Sequence, residues 1–249
     1  MTYILLVQTY HLQKKPLNIY LLNMKVIGIE TSGSIGSVAV CNDDTIVGKK
    51  TFGKQLNHGK EIVSSLKAIF DEIKWEPNDV DLIAVSIGPG SYTGLRIGIT
   101  CAKTLAYGLG KPLIDVPTLD ALAENVRDDV KNLCPVIDAR RKKVYACIYA
   151  RSDTERKRIT DYLIISPEKL LDILPEQVLL FGDGVAPYKD IFAQKKAIIA
   201  NDGLGIADAV TVARLGLKRY EQGKRCEINL LAPLYLRRSE AEERLEGCK

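Results

Sequence analysis

Residues 87–98 read IGPGSYTGLRIG, directly after the apolar run DLIAVS at 81–86. Gly88, Gly90 and Gly94 surround a single proline, Pro89. The apolar run predicts a buried strand, and the stretch from about Thr93 predicts a helix, so the glycines mark a strand-to-helix turn. If the helix starts near Thr93, the amides of Ser91, Tyr92, Thr93 and Gly94 point out of its first turn. Those donors and the positive end of the helix dipole favour an anion, and the small residues let a ligand reach the backbone. No Gly-Lys-Ser/Thr ending follows, so this is not a P-loop. Glycines also serve strand-to-helix turns for steric reasons alone, and spacing leaves both readings open.

The helix carries a second pattern. Gly94, Gly98, Ala102 and Ala106 recur every four residues, a stripe of small side chains down one face. Two glycines inside a helix cost about 1 kcal/mol each relative to alanine, and close packing is a sound reason to accept that. The stripe can meet the protein's own sheet, the helix that precedes it, or another subunit. That preceding helix is predicted over NHGKEIVSSLKAIFDEIKW, where Ile62, Val63, Leu66, Ile69, Phe70 and Ile73 share a face and Asn57 is a suitable N-cap.

Working outward, KVIGIETS, SVAVCN and TIVGKKTF predict a three-stranded antiparallel meander ahead of these helices. Glu30, Thr31 and Ser32 end its first strand. An acid before small hydroxyls can hold a metal–phosphate group or simply shape a turn. Beyond the second helix, PLIDV is a strand and Thr118 caps a helix, LDALAENV. CPVIDARRKKVYACIYA reads as two strands joined by a charged turn, and DYLII as another strand. Ser166 and Pro167 start a helix, QVLLFGDGVAPY runs strand, glycine turn, helix, and LGIADAVTVARLGLKRYEQG is a long helix. A short element, LAPLYLRR, precedes a charged tail. Two rounds of strands followed by helices suggest an α/β protein with two lobes facing a cleft.

Composition sets outer limits. The chain has 249 residues, 46% hydrophobic and 27% charged, with 35 basic and 31 acidic residues and a net charge of +4. That balance permits nucleic-acid contact without announcing it. The basic residues Arg140, Arg141, Lys142 and Lys143, with Arg151, Arg156, Lys157 and Arg158, can face tRNA or another polyanion, or form a solvated hairpin edge. The six cysteines, Cys41, Cys101, Cys134, Cys147, Cys226 and Cys248, form no C-x-x-C pair, and the histidines are His11 and His58. This fits a reducing cytoplasm and argues against a zinc site, so no metal ligands are assigned. No apolar run reaches the roughly 18 residues of a membrane span. The first 23 residues read as an extension outside the fold, with Met24 opening the domain, or as an extra edge element.

MKVIGIETSGSIGSVAV together with AVSIGPGSYTGLRIGITCAKTLAYGLGKPLIDVPTLDALA closely resembles the TsaB (YeaZ) family of the tRNA threonylcarbamoyladenosine pathway. VIDARRKKVYACIY, FGDG and PLYLRRSEAEE resemble later parts of the same family, and the likeness runs from about Met24 to the tail. The resemblance implies the actin-like ATPase/sugar-kinase fold, two lobes of βββαβα type. It divides the chain into an extension (1–23), a first lobe (24–115), a second lobe (116–222) and a C-terminal segment with a charged tail (223–249). It implies a noncatalytic scaffold that pairs with a TsaD-type catalytic subunit, joined by a TsaE-type ATPase, with a homodimer possible in isolation and tRNA reached through the complex.

The interface would lie on the helices at about 58–74 and 93–109, with Ile62, Leu66, Ile69, Gly94, Gly98, Ala102 and Ala106 as its residues. Catalytic relatives carry an H-x-x-x-H metal pair where this chain has Thr118 and Leu122. Leucine ligates no metal, and no catalytic residue is assigned here. The nucleotide loops of the fold would map onto Glu30, Thr31, Ser32, Gly88, Gly90, Ser91, Thr93 and Asp138. ATP or ADP is the ligand they could hold, although the bulky residues 140–143 crowd the second loop. The rival reading is a small ATPase or kinase of the same fold acting by itself; a peptidase has no His–Asp pairing to support it.

Overall fold

A computed structural model describes residues 23–53, 58–126, 130–152, 155–194, 197–200 and 204–237. Nearly all of the expected N-terminal extension, the Asn57 cap and the charged tail lie outside the described residues.

The meander forms as its closely spaced strand-like runs predict: β1 (Lys25–Glu30) pairs antiparallel with β2 (Gly36–Asn42), which pairs antiparallel with β3 (Thr45–Phe52). After α1 (His58–Ile73) the chain enters β4 (Leu82–Gly88), α2 (Tyr92–Leu109) and β5 (Leu113–Pro117). β4 lies parallel to β1 and β5 parallel to β4, so the first sheet has the order β3-β2-β1-β4-β5. This is a βββαβα unit.

A short helix, α3 (Thr118–Glu124), leads to the second sheet. Its strands are β6 (Asn132–Asp138), β7 (Val144–Ala146), β8 (Tyr149–Ser152), β9 (Glu155–Arg158) and β10 (Leu163–Ile165). They are followed by α4 (Pro167–Ile173), β11 (Val178–Phe181), α5 (Lys189–Phe192), β12 (Ile198–Ile199) and α6 (Ala209–Glu221). The path runs β10-β7-β6-β11-β12, with β8 also pairing with β6 and β9 with β8. The mixed architecture is the expected actin-like α/β fold. Among the described residues no helix is long and apolar enough to cross a membrane.

The first sheet is covered on both faces. Ile27, Ile29, Val38, Val40, Ile83 and Val85 pack against α1 and α2, through Ile62, Leu66, Ile69, Ala102 and Ala106. On the other face Val26, Ala39, Leu82 and Ala84 meet Val210, Val212, Ala213 and Leu217 of α6. The long C-terminal helix therefore returns to the first sheet. Small residues set its approach: a Cβ on Gly28 would overlap the carbonyl of Ala209, and one on Gly216 would overlap Ala84.

Some details differ from the sequence reading. α2 begins one residue earlier than expected, at Tyr92, although it ends where a glycine cap is expected, at Gly110 with a left-handed φ of 63°. Thr118 is the first helical residue of α3 rather than its cap, which is Pro117. Val63, expected on the buried face of α1, is 59% exposed. β9 was not foreseen, because its ERKR sequence has no apolar alternation to signal a strand.

Gly28→Ala is expected to lower stability by about 1–3 kcal/mol through overpacking against rigid backbone, seen as a melting-temperature drop of several degrees. Gly108→Ala, whose new methyl would meet nothing within 4 Å, should leave the melting temperature unchanged or raise it. Equal effects from the two substitutions would contradict this packing account.

Candidate functional site

The glycine turn and the first β-turn close on each other. The Ser91 amide donates to the Ser32 carbonyl at 2.7 Å. The Ser91 hydroxyl caps α2 by accepting from the Gly94 amide at 3.2 Å. The Thr31 hydroxyl donates to the Gly94 carbonyl at 2.8 Å. Gly90, Gly94 and Gly98 make this approach possible, since a Cβ on any of them would overlap Ser32 or Thr31. Two of the four first-turn amides expected to face an anion, those of Ser91 and Gly94, are thus occupied inside the protein. Gly88 has a φ of 110°, which favours glycine there.

Glu30 is fully buried. One carboxylate oxygen accepts from the Ser32 amide, while Oε2 has no hydrogen-bond partner among the described residues. Burial pushes its pKa above the usual carboxylate range, against the lowering effect of bonding to Ser32 and Ser86. Between β4 and the start of α3 lies a pair the sequence did not flag: the hydroxyls of Ser86 and Thr118 meet at 2.8 Å, both buried. Thr118 is thus engaged with the sheet, and Leu122 is packed among Leu119, Ala123, Val126 and Leu133. The two positions that would carry the metal-binding histidines form core in this chain.

The second loop is likewise bonded within the protein, to itself and to the turn at Asp183. The Asp138 amide donates to Asp183 Oδ1 at 3.0 Å, and the Arg140 amide donates to Asp138 Oδ1 at 2.8 Å. The Arg140 guanidinium reaches Asp138 Oδ2 at 3.0 Å. Arg140, Arg141 and Lys142 hold φ values of 60°, 49° and 56°, a left-handed run unusual for residues with side chains. Burial also raises the pKa of Asp183, with the Asp138 charge adding to it.

A strap foreseen only as a short element links the two loops. In residues 226–237, the Leu234 amide donates to the Ile87 carbonyl at 2.7 Å. Tyr235 stacks on Tyr92 at 4.8 Å and its hydroxyl accepts from Arg96 at 3.0 Å. Lys103 donates to the Leu231 carbonyl at 2.9 Å, and Arg237 donates to the Ala139 carbonyl at 3.2 Å. The segment follows α2 and ends on the second loop. Of the residues assigned to a nucleotide, Ser32 is bonded to Ser91 and Thr31 to the glycine turn at Gly94, and the acid that would face its metal is buried. This arrangement does not fit ATP or ADP.

The residues assigned to a subunit interface are corrected by the same geometry. Ile62, Leu66, Ile69, Ala102 and Ala106 are core residues at 0–4% exposure. Gly94 and Gly98 are buried against Thr31. The small-residue stripe faces the protein's own first sheet and turn. The outward side of the same helices is different: Gly59, Val63, Ile97, Cys101 and Leu105 line an open groove of about 440 Å³, flanked by Arg96, Thr100 and Thr104.

Glu30 supplies a pH test. Its folded pKa is raised, so folding favours the protonated acid, and stability linked to it is lost as pH rises through the folded pKa. Glu30→Gln cannot ionise. Its stability relative to the native chain should therefore grow as pH rises from about 4.5 to 8.5, measured as paired melting temperatures. A gap independent of pH would show that the carboxyl is not held in a desolvated site.

A family model described as TsaD: tRNA N6-adenosine threonylcarbamoyltransferase matches residues 54–245. The Bacillus subtilis (strain 168) protein named tRNA threonylcarbamoyladenosine biosynthesis protein TsaB is 29% identical over 225 residues, 88% of this chain and 96% of the relative. The protein of the same name from Escherichia coli (strain K12) is 26% identical over 232 residues, 90% of this chain and 99% of the relative. YeaZ from Pseudomonas aeruginosa has the same fold, with a TM-score of 0.74 at 23% identity over 86% of this chain and 100% of that one. A ROK hexokinase from Thermus thermophilus shares the fold more distantly, at a TM-score of 0.51 and 9% identity over 80% of this chain and 100% of that one. Family model, relatives and fold agree: the chain belongs to the TsaB (YeaZ) family, within the wider family that the threonylcarbamoyltransferase model describes.

Proposed function

We propose that this protein acts in tRNA threonylcarbamoyladenosine biosynthesis as a noncatalytic subunit. It docks on a TsaD-type catalytic subunit and supports transfer of the threonylcarbamoyl group to the adenosine next to the anticodon. A TsaE-type ATPase completes the assembly, and the same docking face pairs two copies when the catalytic subunit is missing. The work is done in the cytoplasm, where free thiols such as Cys41 and Cys134 stay reduced.

The observation that carries this reading is the outward groove between α1 and α2. Apolar side chains line it, and Val63 stands 59% exposed on its rim. An exposed apolar strip on a helix pair is a surface suited to a second helix pair. Burial pushes the Cys101 thiol up to about 11, so it behaves there as a small apolar group rather than as a nucleophile. The sole-enzyme alternative lacks support of this kind, because the turns that would hold its nucleotide are bonded to each other.

Val63→Glu and Ile97→Glu should each weaken binding to the TsaD-type subunit about 30-fold or more, the loss of roughly 2 kcal/mol typical of a central contact. Calorimetric titration measures this, with circular dichroism checking the fold. In reconstitution with TsaD- and TsaE-type subunits, the native chain should raise the yield of modified tRNA and both variants should fail to do so. Native-like binding by the variants would place the docking face elsewhere. A yield independent of the chain would remove the functional reading.

A further inference from the structure

The strap of residues 226–237 runs along α2 on a side different from the one that meets α1. Helical spacing puts Tyr92, Arg96 and Lys103 on one side of α2 and Ile97, Cys101 and Leu105 on another. The second set lines the groove shared with α1. The first set meets the strap: Lys103 donates to the carbonyls of Asn229 at 3.3 Å and Leu231 at 2.9 Å, and Tyr92 stacks on Tyr235. Arg96 belongs to both regions. It lines the groove, its guanidinium lies 4.2 Å from the Tyr92 ring centre, and its Nε donates to the Tyr235 hydroxyl at 3.0 Å. The groove and the stacked tyrosines therefore form one continuous surface, with the outer ridge of α2 between α1 and the strap.

Exposed apolar side chains gather on this surface. Ile228 and Leu231 anchor the strap in the first core, yet Leu230 between them is 74% exposed. Tyr107, three helical turns beyond Arg96, is 82% exposed. With Val63, Tyr92 and Tyr235, five of the ten large apolar side chains exposed among the described residues stand on α1, α2 and the strap. The other five are spread over β3, α4, β12 and two loops. Single exposed apolar residues are ordinary, whereas a set of them around an apolar groove marks a contact surface. Tyrosine and arginine are also the residue types that carry much of the energy at protein interfaces. Arg96 needs no free charge for that role. Held over one ring and bonded to the other, it presents a flat, preordered face that costs little entropy to cover.

We infer that the strap is the third element of the docking face: the TsaD-type subunit seats on Leu230, Tyr235, Tyr92 and Arg96 as well as on the α1–α2 groove. The inference rests on the functional reading above for the identity of the partner. The family match spans residues 54–245 and so takes in α1, α2 and the strap. A TsaD-type chain therefore carries counterparts of all three, and a partner that lays its helix pair on the groove brings further surface alongside to cover the strap. Docking then bears on the two loops as well. The strap is bonded at Leu234 to the Ile87 carbonyl and at Arg237 to the Ala139 carbonyl, so a partner seated on it holds the glycine turn and the second loop together.

The test uses the full chain and its TsaD-type subunit, with calorimetric titration for affinity and hydrogen exchange for the strap. L230E and Y235A should each weaken binding about ten-fold or more, whereas Y235F, which keeps the stacked ring, should stay within about three-fold of the native chain. Leu230 is exposed, so L230E keeps the fold, and circular dichroism checks each variant. I173E, at an exposed apolar site on α4, should bind like the native chain. In the complex the Leu234 amide should exchange about ten-fold more slowly than in the free chain, or slower still. If L230E and Y235A bind like the native chain while V63E and I97E lose binding, this inference is overturned and the functional reading stands. Unchanged strap exchange in a formed complex, or an equal loss from I173E, also overturns it. A native chain that does not bind the TsaD-type subunit removes both.

Discussion

Everything near the centre of this molecule depends on how far α2 descends onto the first β-turn. Gly90, Gly94 and Gly98 have no side chains where Thr31 and Ser32 pass, and any added methyl would overlap them. That approach lets the Thr31 hydroxyl reach the Gly94 carbonyl and the Ser91 amide reach the Ser32 carbonyl. Once those bonds form, the turns that would otherwise surround a phosphate bond to each other. Glu30 is sealed beneath them, and desolvation favours its neutral form. A loop geometry suited to ligand binding has become a packing joint.

The joint also fixes which sides of the helices look outward. With Ala102 and Ala106 held against the sheet, Ile97, Cys101 and Leu105 are turned toward the groove shared with α1. The strap reinforces the arrangement: Leu234 bonds beside the glycine turn, Tyr235 covers Tyr92, and Arg237 ties the second loop. The first sheet is left with two different exteriors, an apolar helix pair on one side and α6 with a lining of mixed charge on the other.

Much of this was legible in the sequence. Closely spaced strand-like runs marked the meander, helical spacing marked α1, and the glycine block identified both the turn and the family. The direction of the small-residue stripe was not legible. Gly94, Gly98, Ala102 and Ala106 would recur in the same way against a partner helix or against the chain's own turn, because either contact excludes side chains. The signal that distinguishes the cases is Ile97, Cys101 and Leu105, a larger apolar series offset on the same helix. β9 escaped because a strand made of Glu155, Arg156, Lys157 and Arg158 has no apolar period. The burial of Glu30 escaped because a single acid after a strand reads the same whether it faces solvent, metal or core. The cross-strand pairing of Arg151 with Arg156 needed the hairpin register.

The central claim is that this chain's own loop acids do no chemistry and that its contribution is architectural. It is tested most directly by measuring threonylcarbamoyl transfer in the reconstituted assembly with the double variant Glu30→Gln and Asp138→Asn, whose shape is kept while both carboxylates are removed. The account predicts a rate within about two-fold of native, since no catalytic proton or metal passes through these groups. A loss of a hundred-fold or more, the scale of removing a general acid or base, with the assembly still intact, would contradict it.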